Sequence, residues 1–270
     1  MRKVTLDEQK KIEMEIMAYI HDFCMKHSIR YFLAYGSLLG AVRHHGFIPW
    51  DDDVDIVLPR EDYEVFSNQF NLENHSNYQM INAENRKDYY CPFSKVIDKR
   101  TVLHEKCLRN HVEIGVYIDV FPLDRIDRQK PLAMKRLSLY RCIYKVKNYK
   151  TFSRSNQWIK RAGWAFLRFL SFFFTNRFLY RRINAIAQGF SGNGESGRGE
   201  IAQLTLHAYS KREIHQREWY DTAESCQFEN NQFIIPAKYD SILSRIYGDY
   251  MTIPPKEKQI PNHTCDVYFR

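Results

Sequence analysis

Four aspartates fall within five residues, Asp51, Asp52, Asp53 and Asp55, directly before the apolar run Ile56-Val57-Leu58. Asp53 and Asp55 flank Val54 in a segment that reads as a strand, and residues two apart on a strand face the same side. Their carboxylates then converge. Such close like charges raise one another's pKa and destabilise the fold, and a divalent cation with oxygen ligands removes the repulsion. Mg²⁺ is the natural ion, with Mn²⁺ as the alternative. A third acid, Asp119, sits in Val116-Tyr117-Ile118-Asp119-Val120-Phe121, an apolar run in which an unpartnered carboxylate is costly. A solvated acidic turn is the plainer reading of residues 51–55, but it does not explain Asp55 inside an apolar strand. Asp119 alone could be a core aspartate held by backbone donors; with Asp53 and Asp55 it favours a metal triad.

Upstream, Gly36-Ser37 ends the apolar run Tyr31–Tyr35 and precedes Leu38-Leu39-Gly40-Ala41-Val42. A Gly-Ser turn between strand and helix offers backbone N–H groups and a hydroxyl, a combination that suits phosphate. Phosphate at the turn and metal at the carboxylates together describe metal-assisted attack on an activated phosphorus.

The elements that must hold these groups are legible in the same way. Leu6 to His27 repeats apolar residues at helical spacing. Tyr31–Tyr35 reads as a strand and Val54–Leu58 as a second, with Pro59 opening a helix from Arg60 through Phe66. Further strands are expected at 78–81, 93–97 and 116–121. Residues 131–187 show helix-compatible character without strand alternation, and the glycine-rich SGNGESGRGE at 191–200 reads as a flexible loop. Phe233–Pro236 is strand-like, Tyr239–Tyr247 helical, and Gly248 suits a helix C-cap. The expectation is an α+β fold with three regions: a core over 1–127, a basic helical insert over 128–194, and a segment over 195–270 that packs back on the core.

Net charge is +8 over 270 residues. Residues 128–194 hold fifteen Lys or Arg and no Asp or Glu, so the rest of the chain is acidic on balance. The six cysteines are scattered without metal or disulfide spacing. The N-terminal stretch lacks the continuous apolar run of a signal peptide. Both features lead to the expectation of a cytoplasmic protein.

Residues 36–64, GSLLGAVRHHGFIPWDDDVDIVLPREDYE, closely resemble the LicD family of bacterial phosphocholine transferases, relatives of the fukutin-type ribitol-phosphate transferases. The resemblance extends through CPFSKVIDKRT (91–101), YIDVFPLD (117–124) and IPAKYDSILSRIYGDYMTIPPKEK (235–258). It implies a nucleotidyltransferase-like mixed sheet. It also implies transfer of a phospho-alcohol from CDP-choline or another CDP-alcohol to a sugar hydroxyl of a lipid-linked glycan or teichoic acid precursor, with release of CMP. Carried onto this sequence, Gly36 and Ser37 would hold donor phosphate. Asp53 and Asp55 would bind Mg²⁺, and Asp119 would complete the metal site or take the acceptor proton. Asp51 shares strand parity with Asp53 if the extended stretch begins that early, which turns Asp52 away. Arg43 and His44 would neutralise diphosphate charge or simply line a solvated helix face. Lys95, in a strand-like run, needs an anion, either phosphate or a structural acid. Trp50 and Tyr117 could offer aromatic faces to a base or to choline, although core packing is the commoner role of such residues.

The segment 157–182 interleaves Trp and Phe with Arg and Lys. Its uncharged apolar run, Phe169–Phe174, is far shorter than the roughly 20 residues needed to span a bilayer. It reads either as a helix lying on an anionic membrane surface or as a buried helix with snorkelling arginines. No RNA-binding motif is present, so nucleic acid is not an expected partner. Two other functions stay open: a nucleotidyltransferase acting on a small molecule or RNA, and a non-catalytic glycan- or membrane-binding relative.

Overall fold

The protein is described by a computed structural model covering residues 2–110, 112–127, 129–150, 158–190, 199–205, 210–260 and 265–270. Helix α1 (Leu6–Lys26) starts at a capping box: the Thr5 hydroxyl accepts from the Glu8 N–H, and the Glu8 carboxylate accepts from the Thr5 N–H. Its buried stripe of Ile12, Ile16, Ile20 and Phe23 follows the helical repeat and lies against the central sheet.

That sheet is built from β1 (Phe32–Leu33), β2 (Asp55–Pro59), β3 (Tyr78–Ile81), β4 (Ser94–Asp98) and β6 (Tyr117–Ile126), in the order β1-β2-β6-β4-β3. Only β2 and β6 run parallel; the other pairs are antiparallel. Between β4 and β6 comes β5 (Thr101–Glu105), which pairs with the C-terminal β11 (Cys265–Phe269). The parallel pair is buried on its apolar residues, Ile56-Val57-Leu58 against Val120-Phe121-Pro122, the continuous apolar character expected of parallel strands covered on both faces. Helix α2 (Tyr35–His44) joins β1 to β2, and α3 (Arg60–Gln69) follows β2 directly.

After β6 the chain forms α4 (Pro131–Asn148), α5 (Trp158–Ser171) and α6 (Asn176–Gln188), with α4 packing on both α5 and α6. It then returns through β7 (Glu200–Ala202), which extends the sheet along the far half of β6, and β8 (His215–Gln216), which pairs with β7. A hairpin of β9 (Ala223–Phe228) and β10 (Asn231–Pro236) and helix α7 (Tyr239–Tyr247) precede β11 at the end of the described chain.

A buried polar knot joins the helical segment to the sheet. Arg60, at the start of α3, grips Asp124 of β6 with Nε and Nη2 at 2.6 and 2.8 Å, and its Nη1 donates to Asn184 of α6 at 3.0 Å. Asp124 is fully buried and Arg60 nearly so, and such a pair fixes geometry more than it adds stability.

The architecture is α+β with a mixed sheet, as the sequence leads one to expect, and the helical character of 131–187 resolves into three helices. Several boundaries differ. β1 is two residues long because Tyr35 already begins α2, so Gly36 and Ser37 occupy the first helical turn. β2 begins only at Asp55, so strand alternation does not orient Asp51 or Asp53. Pro59 closes β2 and caps α3 without being its first residue. The glycine-rich stretch lies outside the described residues over 191–198, and Glu200 is already in β7.

Candidate active site

Asp55 is the first residue of β2 and is fastened on both sides through its backbone. Its N–H donates to the Ser37 hydroxyl oxygen at 2.8 Å, and its carbonyl accepts from Ala34 N–H at 2.9 Å. Ser37 is buried, so one task of this hydroxyl is to lock α2 to the head of β2. In the parallel register Asp55 stands opposite Asp119, and Asp119 stands opposite Lys95 on the antiparallel neighbour. A carboxylate, a second carboxylate and an ammonium therefore form one row across three strands. Lys95 Nζ donates to Asp119 Oδ1 at 2.5 Å and sits 3.3 Å from the centre of the Tyr117 ring. Burial alone would depress the Lys95 pKa, and the Asp119 carboxylate more than reverses this, so it lies above the usual lysine value.

This row opens into a cleft of about 590 Å³, within the range of a small-molecule site. Asp51, Asp53, Asp55 and Asp119 line it at one end. Burial pushes the Asp55 carboxyl well above the usual aspartate range, and Asp53, Asp119 and Asp51 push it further; Lys95 opposes them. Oxygens of Asp51, Asp52 and Asp53 lie within 4.8 Å of one another. Asp52, however, is absent from the cleft and lines a small space beside Gln9 and Glu13, while its carbonyl accepts from Gln9 Nε2. It lies outside the cleft, yet its carboxylate stays within reach of those of Asp51 and Asp53.

Gly36 also lines the cleft, and a Cβ there would run into Asp51 Oδ2. Glycine thus lets a carboxylate close on the first turn of α2, where free N–H groups favour negative charge. Beside it, Tyr35 holds a positive φ of 47°, a strained conformation for a bulky residue at the wall of the cleft. Arg43 reaches the cleft from the last turn of α2 and donates through Nη1 to the Tyr250 carbonyl at 2.6 Å, tying α2 to the loop after α7. His44 is outside the cleft and accepts from Arg43 Nε at 2.9 Å. Lys95 is likewise behind the wall rather than in it. Trp50 lines the cleft, whereas Tyr117 does not: Lys95 occupies its ring face.

The C-terminal region supplies lining residues that the sequence reading did not single out: Glu213, Tyr247, Asp249 and Tyr250. Tyr247, Asp249 and Tyr250 lie within the stretch 235–258 that carries the family resemblance, so a signal for them existed. Glu213 stands in a 3₁₀ turn with no surrounding motif. Among the described residues, six carboxylates and one guanidinium line the cleft. An anionic ligand cannot enter such a field unless cations accompany it, and hard oxygen donors gathered this closely suit Mg²⁺ or Mn²⁺.

Residues 28–141 match the LicD/FKTN/FKRP nucleotidyltransferase domain. That span holds Gly36, the aspartates of 51–55, Lys95 and Asp119. Along its whole length the chain is similar to the lipopolysaccharide cholinephosphotransferase LicD of Haemophilus influenzae, 29% identical over 275 residues and covering 99% of each protein. Residues 28–141 thus carry a LicD-family domain, and the likeness to a LicD runs the length of the chain. Uncharacterised proteins of Rickettsia typhi and Rickettsia prowazekii share 40% identity with it over 62 residues, 23% of this chain and 20% and 23% of theirs. In LicD terms, the match over 28–141 carries the carboxylate end of the cleft, while Glu213, Tyr247, Asp249 and Tyr250 lie beyond it.

Proposed function

We propose that this protein transfers phosphocholine from CDP-choline to a sugar hydroxyl of a glycan precursor and releases CMP. The observation that carries the proposal is the row Asp55–Asp119–Lys95, whose two carboxylates open into a cleft also lined by Trp50, Tyr247 and Tyr250. Asp53, Asp55 and Asp119 would hold Mg²⁺, with Asp51 beside them. When bound, the ion would neutralise the donor diphosphate and the charge that develops on the departing phosphate.

The chain's own groups do the rest. The first turn of α2 would lend N–H groups to the donor phosphates, with Gly36 leaving room for Asp51 beside them. Arg43 adds a fixed positive charge at the opposite end of the same helix. The acceptor oxygen attacks the choline-bearing phosphorus, the bond from that phosphorus to the bridging oxygen breaks, and its electron pair leaves with CMP. Where Asp53 and Asp55 suffice for the ion, Asp119, paired with Lys95, takes the hydroxyl proton. Trp50, Tyr247 and Tyr250 offer ring faces, and Asp249 a negative charge, to a quaternary ammonium group. The test is CMP formation from CDP-choline with Mg²⁺ and acceptor; turnover of another CDP-alcohol in its place would keep the mechanism and reassign the alcohol.

Two expected outcomes follow from the geometry. Gly36→Ala forces Asp51 aside and is expected to slow CMP release on the order of 100-fold, with protein that still melts cooperatively; unchanged turnover would remove Gly36 from the site. For pH, Asp55 must be ionised to take a cation, and its pKa is raised. Activity is therefore expected to fall, as pH is lowered, at a pH above the usual aspartate range. Because proton and metal compete, more Mg²⁺ moves that acid limb to lower pH. A limb that does not respond to Mg²⁺ would contradict metal binding at Asp55.

A further inference from the structure

Helix α5 carries an aromatic surface that faces outward. Phe166 and Phe169 on the helix, and Phe172 and Phe173 directly after it, are 61, 58, 75 and 70% exposed. The rings of Phe169 and Phe173 meet edge to face at 5.3 Å, and the intervening Leu167 packs inward against the core. Four large exposed rings on one short segment form the kind of patch that marks an interaction surface.

Next to it lies a second cavity, of about 490 Å³, remote in chemistry from the acidic cleft. Among the described residues, Arg109, Lys147, Lys150 and Arg168 line it with Phe172, and no carboxylate does. The Lys147 and Lys150 ammonium groups donate to the carbonyls of Ser171 and Lys106, which neutralise no charge. Arg109 is perturbed first by burial and then by the like charge of Arg168. Nor can the helical segment supply a counter-charge, since residues 128–194 contain no acid.

We propose that this face docks on the surface of an anionic lipid bilayer. Phe166, Phe169, Phe172 and Phe173 enter the boundary between headgroups and acyl chains, and Arg109, Lys147, Lys150 and Arg168 receive lipid phosphate. Charge complementarity names the occupant: Lys147, Lys150 and Arg168, which come from a segment without acids, draw anions to this cavity, and the exposed rings beside them need an apolar phase next to those anions. A bilayer surface offers both in one plane. Single-stranded RNA also pairs with basic and aromatic groups, but it stacks its bases on rings within the basic groove, and Phe172 is the one aromatic ring lining this cavity among the described residues. No helix among the described residues is long and apolar enough to cross a membrane, so α5 lies in the surface plane. The inference does not depend on the donor assigned to the cleft.

The test is sedimentation of the full-length protein with phosphatidylcholine vesicles, with and without phosphatidylglycerol. Binding is expected with phosphatidylglycerol only, weakening as salt rises. The double variant Lys150→Glu/Arg168→Glu is expected to lower partitioning at least about tenfold. Phe169→Ala/Phe173→Ala is expected to lower it by a similar factor, on the order of tenfold. These four side chains are exposed, so melting temperatures should hold; if a variant fails to fold, the salt series on the unmodified protein decides. Absence of phosphatidylglycerol-dependent binding, binding indifferent to salt, wild-type partitioning by both double variants, or sedimentation abolished by ribonuclease would each overturn the proposal.

Discussion

Asp55→Asn is expected to reduce CMP release by about a thousandfold or more while leaving the metal-free protein as stable as wild type or more so. The two halves of this result have one cause. Asp55 is held at the head of β2 by Ser37 and Ala34 and faces Asp119 across the parallel pair. Its carboxyl is buried among Asp53, Asp119 and Asp51, which raises its pKa. A carboxyl whose folded-state pKa is raised contributes stability below its unfolded pKa and loses that contribution as pH climbs through the folded value. At neutral pH Asp55 therefore opposes folding, and asparagine removes the repulsion without changing shape. Chemistry suffers because an amide is a poor ligand for Mg²⁺ and carries no charge. Measuring steady-state CMP release beside thermal unfolding in chelator and in Mg²⁺ separates the effects. Added Mg²⁺ should raise the melting temperature of wild type and hardly that of the variant. A variant that loses activity only because it unfolds would contradict the assignment.

Lys95→Met is expected to cost about 3–5 kcal/mol of stability, because it leaves Asp119 beside Asp55 with its buried cation gone. In a chain of this size that lowers the melting temperature by roughly 10 °C. Methionine fills much of the lysine stem's volume, so the loss reports charge rather than a cavity. Two further readouts distinguish this from simple packing damage. Mg²⁺ should recover more stability in the variant than in wild type, since a cation in the cleft replaces part of the missing charge. Adding Asp119→Leu should also return much of the loss, because the carboxylate that lost its ammonium is then absent. If the double variant is instead the sum of two independent losses, Lys95 and Asp119 do not act as a pair.

How much of this was legible in the sequence depended on the range of the interactions involved. The acids at Asp53, Asp55 and Asp119 stand out because a carboxylate inside an apolar run is a local anomaly, visible without knowing the fold. Helices such as α1 and α7 are legible from spacing and caps; Gly248, after α7, takes the positive φ of 76° that a C-cap glycine permits. What the sequence cannot display is register. That Asp55 faces Asp119, and Asp119 faces Lys95, follows from pairing across three strands separated by up to about sixty residues of chain. The same holds for β5 and β11, two short strands that pair with each other across most of the chain. Orientation in loops escaped as well. Asp51 and Asp53 reach the cleft from residues outside any strand, where alternation carries no information. Glu213 had no local signal at all: it becomes a lining residue only when the chain returns through β7 and β8 to the far half of β6. For the basic segment, composition alone left a buried helix and a surface helix equally open, and the choice between them lies in which phenylalanines are exposed.

The central claim is tested most directly by incubating the protein with CDP-choline, Mg²⁺ and a lipid-linked glycan acceptor, and following CMP and phosphocholine-modified acceptor together. The expected result is equal formation of both by wild type, dependent on acceptor and abolished in Asp53→Ala. Pyrophosphate in place of CMP, or CMP formation unaffected by Asp53→Ala, would contradict phosphocholine transfer at this cleft.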